Sequence, residues 1–227
     1  MCGSSEKALE AFWVSCGLSS AAWPAASDAF DRYERLIGSR NAAARLMGPG
    51  TEGDFSLKHV ADSLAILLAW PDLLAGDVDL ADVGCGAGLP GIVLAIALPD
   101  LRLTAIESNR RKAAFVRDAA DALGLADRVQ VVARRSRELG YQDAYRRRFP
   151  VTTARAVAPG EKVIRDTRLL IAPGGSAFLY KTPDAVADEW PLATREAGKH
   201  GLALDTSEVI ALPAGAGTRQ FLRVRAP

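Results

Sequence analysis

The stretch Asp82-Val83-Gly84-Cys85-Gly86-Ala87-Gly88-Leu89-Pro90-Gly91 follows one short apolar run and leads into another, so it reads as a turn between a strand and a helix. Glycines there permit positive φ and let a ligand approach the backbone, while the helix start beyond them favours an anionic group. Spacing narrows the ligand. A dinucleotide fingerprint needs glycine three positions after the second glycine of the turn, and Leu89 stands there. A P-loop needs Gly-Lys-Ser/Thr where this chain has Leu89-Pro90-Gly91. Asp82, just ahead of the turn, would repel a pyrophosphate and suits a cationic amino group.

The next predicted strand ends in Glu107, where a carboxylate can accept hydrogen bonds from both hydroxyls of a ribose. A ligand with a ribose, an amino group and a carboxylate but no phosphate is S-adenosylmethionine. The candidate cofactor residues around the turn are therefore Asp82, Gly84, Gly86, Gly88, Leu89, Glu107 and Ser108. The plainer reading of the same residues is a tight turn with Glu107 on the surface.

From Leu80 onward short apolar runs alternate with helical patterns, the sequence form of βαβ units. Strands are predicted near 79–83, 102–107, 128–132, 151–155, 175–180, 203–211 and 219–225. Phe115, Val116, Ala119, Ala120 and Leu123 recur at helical spacing, so one stripe of that segment faces a sheet. A helix over 163–171 is expected to end at Pro173-Gly174-Gly175, which turns into a strand. The last two strands are joined only by the turn-rich Pro213 to Gly217 and should pair antiparallel. The fold class is α/β: a class I, Rossmann-like, seven-stranded and mostly parallel sheet with an antiparallel last strand. Leu57, Val60, Ala61, Leu64, Leu67 and Leu68 form a helical stripe ahead of it. Residues 1–75 are read as an N-terminal helical cap, with Gly48 to Gly53 a flexible loop, and 76–227 as the cofactor-binding domain.

At 227 residues, with 49% hydrophobic and 24% charged side chains, the chain is long enough for one ample core and far from the composition of disorder. Its best apolar run, Leu89 to Leu98, is interrupted by Pro90 and Gly91 and is about half a membrane span. No basic segment followed by an apolar one opens the chain, so export is not expected. Cys2, Cys16 and Cys85 are odd in number and lack metal-type spacing, which argues against a disulfide framework or a zinc site. A soluble cytoplasmic monomer is the expectation.

Charge is unevenly spread. Residues 102–154 carry 12 Lys and Arg against 6 Asp and Glu, whereas residues 1–101 carry 6 against 13. The excess lies in Arg110-Arg111-Lys112, Arg134-Arg135-Ser136-Arg137 and Arg146-Arg147-Arg148, clusters that can neutralise phosphates or form a solvated face.

Enzymes that methylate exocyclic amines usually carry Asp/Asn-Pro-Pro-aromatic after the fourth strand, and this chain has Thr152-Thr153-Ala154-Arg155-Ala156 there. Attack at pyrimidine C5 needs a cysteine nucleophile, usually after a proline, and none of the three cysteines follows one. Both absences point to an acceptor that is already nucleophilic. Guanine N7 has an in-plane lone pair and no proton to lose, so alignment alone could suffice.

Lys58-His59-Val60-Ala61-Asp62-Ser63, the turn 82–91, Glu107-Ser108 with Arg111-Lys112 and Phe115, Thr153-Ala154-Arg155-Ala156, and Tyr180-Lys181 together resemble the successive motifs of the RsmG (GidB) family. The resemblance spans roughly residues 30–225 and is most specific in the Gly-Leu-Pro-Gly extension of the turn. It implies methylation of guanine N7 in 16S ribosomal RNA, with the RNA or the small ribosomal subunit as partner. It places Gly84 and Leu89 at the cofactor's amino-acid end, Ser136 and Arg137 beside adenine, and Arg155 near the transfer pocket. Arg137 stands where the family usually has glutamate, and Asn41-Ala42-Ala43 where it has Asn-Leu-Thr. Arg155, Lys181 and His59 are the candidate catalytic residues, with His59 positioning RNA or bracing the pocket rather than acting as a base. Arg219 is open between surface charge and RNA contact, and the four tryptophans read as packing. The alternatives are the same fold acting on another RNA or a small molecule, and a noncatalytic RNA-binding assembly factor.

Overall fold

The computed structural model describes residues 3–44, 46, 55–71 and 76–227. Cys2 and the predicted loop Gly48 to Gly53 lie outside them. Helices α1 (Gly3–Ser15) and α2 (Trp23–Ala44) come first, then a π-helical turn Ser56–Ala61 running into α3 (Asp62–Leu64) and α4 (Ile66–Ala69). The alternating part follows: β1 (Asp79–Val83), α5 (Gly91–Ala97), β2 (Arg102–Ile106), α6 (Arg110–Ala122), β3 (Val129–Val132), α7 (Ser136–Leu139) and β4 (Phe149–Arg155). It closes with α8 (Gly160–Thr167), β5 (Ile171–Lys181), α9 (Pro183–Lys199), β6 (Ala203–Thr206), β7 (Ile210–Ala211) and β8 (Thr218–Arg225).

The strand order is β3-β2-β1-β4-β5-β8-β6, with β7 paired to β8 off that path. The first five strands run parallel, and β8 is antiparallel to both β5 and β6. The order reverses between β1 and β4, and in open α/β sheets ligands bind outside the carboxyl ends of strands at such a switch point.

Two boundaries differ from the sequence expectation. The predicted strand 203–211 is broken into β6 and β7 because the Ser207 hydroxyl, not a backbone carbonyl, accepts the Phe221 N–H at 3.0 Å. The predicted helix 163–171 stops at Thr167, whose hydroxyl bonds back to the Val163 carbonyl at 2.8 Å, and Ile171 already pairs with Phe149 in the sheet. The register then jumps to Val151 opposite Ser176, so Pro173-Gly174-Gly175 forms a bulge inside β5. A Cβ on Gly175 would stand 2.9 Å from the Pro150 carbonyl, which leaves room for glycine alone.

Asn109 caps α6 by accepting the N–H groups of Arg111 and Lys112 at 2.9 and 3.3 Å, and the expected stripe Phe115, Val116, Ala119 and Ala120 is buried on the sheet. The N-terminal helices and one face of the sheet share one core, which joins Trp13, Phe30 and Tyr33 to Ile92, Phe178 and Phe221. Each such fully buried aromatic removes enough apolar surface to contribute roughly 1.5–3 kcal/mol. Trp13 and Trp23 pack on Phe30, and Trp70 packs on Phe178 and Phe221, as the packing reading expects, whereas Trp190 is exposed. No helix among the described residues is long and apolar enough to cross a membrane.

Candidate active site

The glycine turn is pinned to the neighbouring strand: the N–H groups of Gly84 and Cys85 both donate to the Ile106 carbonyl, at 2.8 and 3.2 Å. Its glycines answer to different constraints. At Gly84, φ is +66° and a Cβ would stand 2.8 Å from Val157, which lies over the turn. At Gly86, φ is +57° and a Cβ would face open space, with only the Gly84 carbonyl within 4 Å. At Gly88, φ is +93° and a Cβ would collide with Ile92 and the Tyr33 hydroxyl, so this glycine seats α2 and α5. Tyr33 donates from that position to the Ala87 carbonyl.

Asp82 is completely buried, with one oxygen accepting the Gly91 N–H at 2.9 Å and the other the Thr153 hydroxyl at 3.0 Å. It ties β1 to the start of α5 and to β4. Asp82 and Gly88, which the sequence placed at the ligand, both brace the turn from beneath in this structure. Burial pushes the Asp82 carboxyl up to about 6, against the lowering effect of these two hydrogen bonds.

Glu107 is 8% exposed and turns back over the glycines, accepting the Gly86 N–H at 3.0 Å and the Asn109 N–H at 2.7 Å. Each carboxylate oxygen keeps a second lone pair for a ligand. A cavity of about 450 Å³ opens here, lined by Gly84, Gly86, Leu89, Glu107, Ser108 and Arg155, with His59 and Lys112 at its edges. A second cavity of about 350 Å³ shares Gly84, Ser108 and Val157 with the first and is walled by Ser136 and Arg137. Together they form one crevice above β1 and β4, in the size range of small-molecule sites.

On the other side of the crevice, Arg155 at the end of β4 donates to Asp62 at 2.9 Å and to His59 Nδ1 at 3.3 Å. A guanidinium only donates, so Nδ1 accepts and the imidazole carries its proton on Nε2, a buried atom with no partner. Burial first and the Arg155 charge second push His59 down to about 4, so it is neutral at physiological pH. Asp62 also accepts from Arg219 Nε on β8, so one buried carboxylate holds two arginines. Arg219, left open by the sequence, thus ties β8 to α3.

Lys181 is engaged within the protein. Its ammonium donates to the Ala158 carbonyl at 3.0 Å and pairs with Glu189 of α9 at 2.9 Å, and Glu189 in turn accepts the Gly160 N–H at 2.5 Å. It holds the loop 156–160 that carries Val157 and Ala158 along the crevice. The candidate catalytic Lys181 of the sequence is thus engaged with the loop beside the crevice. Cys85 is buried, and burial followed by the charges of Asp82 and Glu107 pushes its thiol upward, away from the thiolate a nucleophile needs. Among the described residues no group of His, Cys, Asp and Glu could hold a metal ion.

Sequence reasoning missed Val157, Glu189 and the linking role of Asp62. Asp62 was within reach, since it sits one helical turn from His59 in the quoted motif.

Comparison with known proteins decides among the α/β enzymes that share this crevice. A family model described as rRNA small subunit methyltransferase G (GidB) matches residues 26–212. The chain belongs to the rRNA small subunit methyltransferase G family. The Ribosomal RNA small subunit methyltransferase G of Solibacter usitatus is 38% identical over 194 residues, covering 86% of this chain and 88% of that one. The protein of the same name from a Synechococcus strain is 34% identical over 207 residues, covering 89% and 86%. Solved structures share the fold of class I S-adenosylmethionine-dependent methyltransferases. A SAM-dependent O-methyltransferase from Thermotoga maritima aligns with a TM-score of 0.56 at 18% identity, covering 73% of this chain and 64% of that one. The [4+2]-cyclase SpnF aligns with a TM-score of 0.55 at 19% identity, covering 73% and 80%. That a cyclase shares the architecture shows that the fold alone fixes no reaction. Here the reading rests on the site, where the glycine turn, Arg155 and His59 line one cavity.

Proposed function

We propose that this chain transfers a methyl group from S-adenosylmethionine to guanine N7 of 16S ribosomal RNA, as a cytoplasmic monomer acting on the RNA or the small subunit. Residues 1–75 serve as the cap over the crevice and 76–227 as the cofactor-binding domain. Membership of the family supports the substrate class. The observation that carries the chemistry is a crevice with an adenosine-sized recess on one side and, on the other, a fixed cation braced by a neutral imidazole.

The residues present fit the cofactor. At Gly86 any side chain would fill the open space, which marks a place where a ligand meets backbone. Glu107 is oriented by two backbone N–H groups and can take ribose hydroxyls, with Ser108, Ser136 and Arg137 lining the recess toward adenine. Gly84 and Leu89 would border the amino-acid end. When bound, S-adenosylmethionine supplies an electrophilic methyl on a sulfonium.

The chain's own work is alignment. Guanine presents N7 and O6 as adjacent acceptors. Arg155, held by His59 Nδ1 and Asp62, can grip O6, which leaves the N7 lone pair free. No proton must be removed from N7, and the neutral, weakly basic His59 need not act as a base. Asp62 keeps the Arg155 guanidinium from swinging toward solvent. Rate enhancement then comes from holding the acceptor in line.

The test is to compare N7-methylguanine in 16S ribosomal RNA from cells with and without the protein, then restore it with purified protein and S-adenosylmethionine. A modification unchanged by deletion would refute the reading.

A further inference from the structure

The crevice does not end at the adenine recess. Its 350 Å³ part shares Arg137, Arg165 and Asp166 with a cavity of about 210 Å³, which in turn shares Arg168, Leu169 and His200 with one of about 330 Å³ lined also by Arg147. The three join end to end, leading from the reaction site past α7 and α8 to the end of α9. Cations dominate the lining. Glu196 is buried and already holds Arg165, Lys199 and His200, at 3.2, 2.7 and 3.3 Å. Arg134, Arg135, Arg137, Arg147 and Arg168 make no ion pair among the described residues.

Three further features mark this groove as a place for a ligand. Tyr141 lines its middle section and is 62% exposed, an aromatic face set among arginines. Arg168 borders both distal cavities, and its buried Nε has no hydrogen-bond partner. Arg147 holds φ at +50°, in the left-handed region that side chains rarely adopt, with its N–H bonded to the Leu169 carbonyl at 2.7 Å.

We infer that this groove carries the RNA strand beyond the reacting nucleotide, with a base stacked on Tyr141 and backbone phosphates against Arg168 and Arg147. Alternation of stacking platforms with cations is how single strands are held without reading their sequence. The inference rests on the ribosomal RNA reading and adds to it a path: RNA leaves the crevice on the Ser136–Arg137 side and runs toward the end of α9. The flipped or looped guanine and the groove would then be bound by separate surfaces, one setting the reaction and the other the affinity.

The test uses the full chain, 16S ribosomal RNA and two single variants. Tyr141→Ala alters an exposed side chain. Arg147→Gly removes the charge at a position whose backbone glycine prefers, so it should fold at least as well as the parent. Wild-type binding and methylation of the RNA, measured first, judge the function itself. Tyr141→Ala is then expected to weaken RNA affinity by about fivefold or more, the loss of one stacked base. Arg147→Gly should reduce the slope of log affinity against log salt by about one. Cofactor affinity and kcat at saturating RNA should match wild type in both. Wild-type affinity and slope in both variants would overturn the groove while the function stood. Intact binding to naked RNA with lost binding to assembled small subunits would also overturn it, because the face would then fit a ribosomal protein.

Discussion

Lys181 and Glu189 form an ion pair at 2.9 Å that joins the carboxyl end of β5 to α9, beside the crevice rather than within it. Both are mostly shielded, so removing one partner leaves a charge and the Ala158 or Gly160 backbone group without its partner. Lys181→Ala is expected to lower methyl transfer tenfold or more, about 1.4 kcal/mol in the barrier. Glu189→Gln should lower it too, and the double variant should cost less than the two single effects combined. Steady-state turnover with saturating cofactor measures this. Normal turnover in Glu189→Gln beside a crippled Lys181→Ala would mean that the lysine meets RNA directly.

Gly86→Val should abolish S-adenosylmethionine binding while the protein still folds. The position combines positive φ with space that opens only onto the cavity, so a branched side chain is both strained and in the ligand's way. Calorimetry decides: unchanged affinity in a folded variant rules out backbone contact at this glycine.

Asp82 separates a bracing role from a ligand role. As an amide, Asp82→Asn can still accept from Gly91 and donate to the Thr153 hydroxyl, so cofactor affinity should stay within about threefold of wild type. Asp82→Ala leaves both groups buried and unpaired and should cost about 1–3 kcal/mol of stability for each. A large loss of affinity in a stable Asp82→Asn protein would return the carboxylate to the cofactor's amino group.

His59 gives the protein an acid sensitivity with a defined sign. Its folded pKa, about 4, lies below the ordinary 6.5, so its stabilising contribution is present above pH 6.5 and is lost as pH falls toward 4. Asp82 acts oppositely: raised from 3.8 to about 6, it takes up a proton in the folded state first and gains stability as pH falls through the same range. The melting temperature of His59→Asn should therefore rise relative to wild type between pH 7 and 4.5. A constant difference across that range would show that His59 titrates alike in both states.

Features set by spacing along the chain are legible in the sequence itself. The turn 82–91, Glu107 at the tip of β2, the stripe of α6 and the antiparallel end of the sheet all follow from short-range pattern, and all appear in place. Features made by distant elements meeting are not legible there. Val157 over Gly84, Glu189 on Lys181 and Arg219 on Asp62 each depend on loop paths that no local pattern encodes. Asp82 shows a subtler gap. A carboxylate beside a glycine turn looks alike in sequence whether it faces the ligand or the buried backbone, and only the fold says which. Likewise the end of α8 is misplaced by the sequence pattern because Ile171 is apolar in either setting, and its partner Phe149 lies on another strand.

The Asp62 carboxylate, shared between Arg155 and Arg219, also imposes an order on how the protein is made. A ribosome delivers Asp62 first, Arg155 some ninety residues later and Arg219 later still, so the nascent chain holds the first two long before the third can join them. The helical segment that carries Asp62 cannot take its final grip on the sheet until β8 has emerged and slotted between β5 and β6. Chains abandoned before Arg219 is made would lack that clasp.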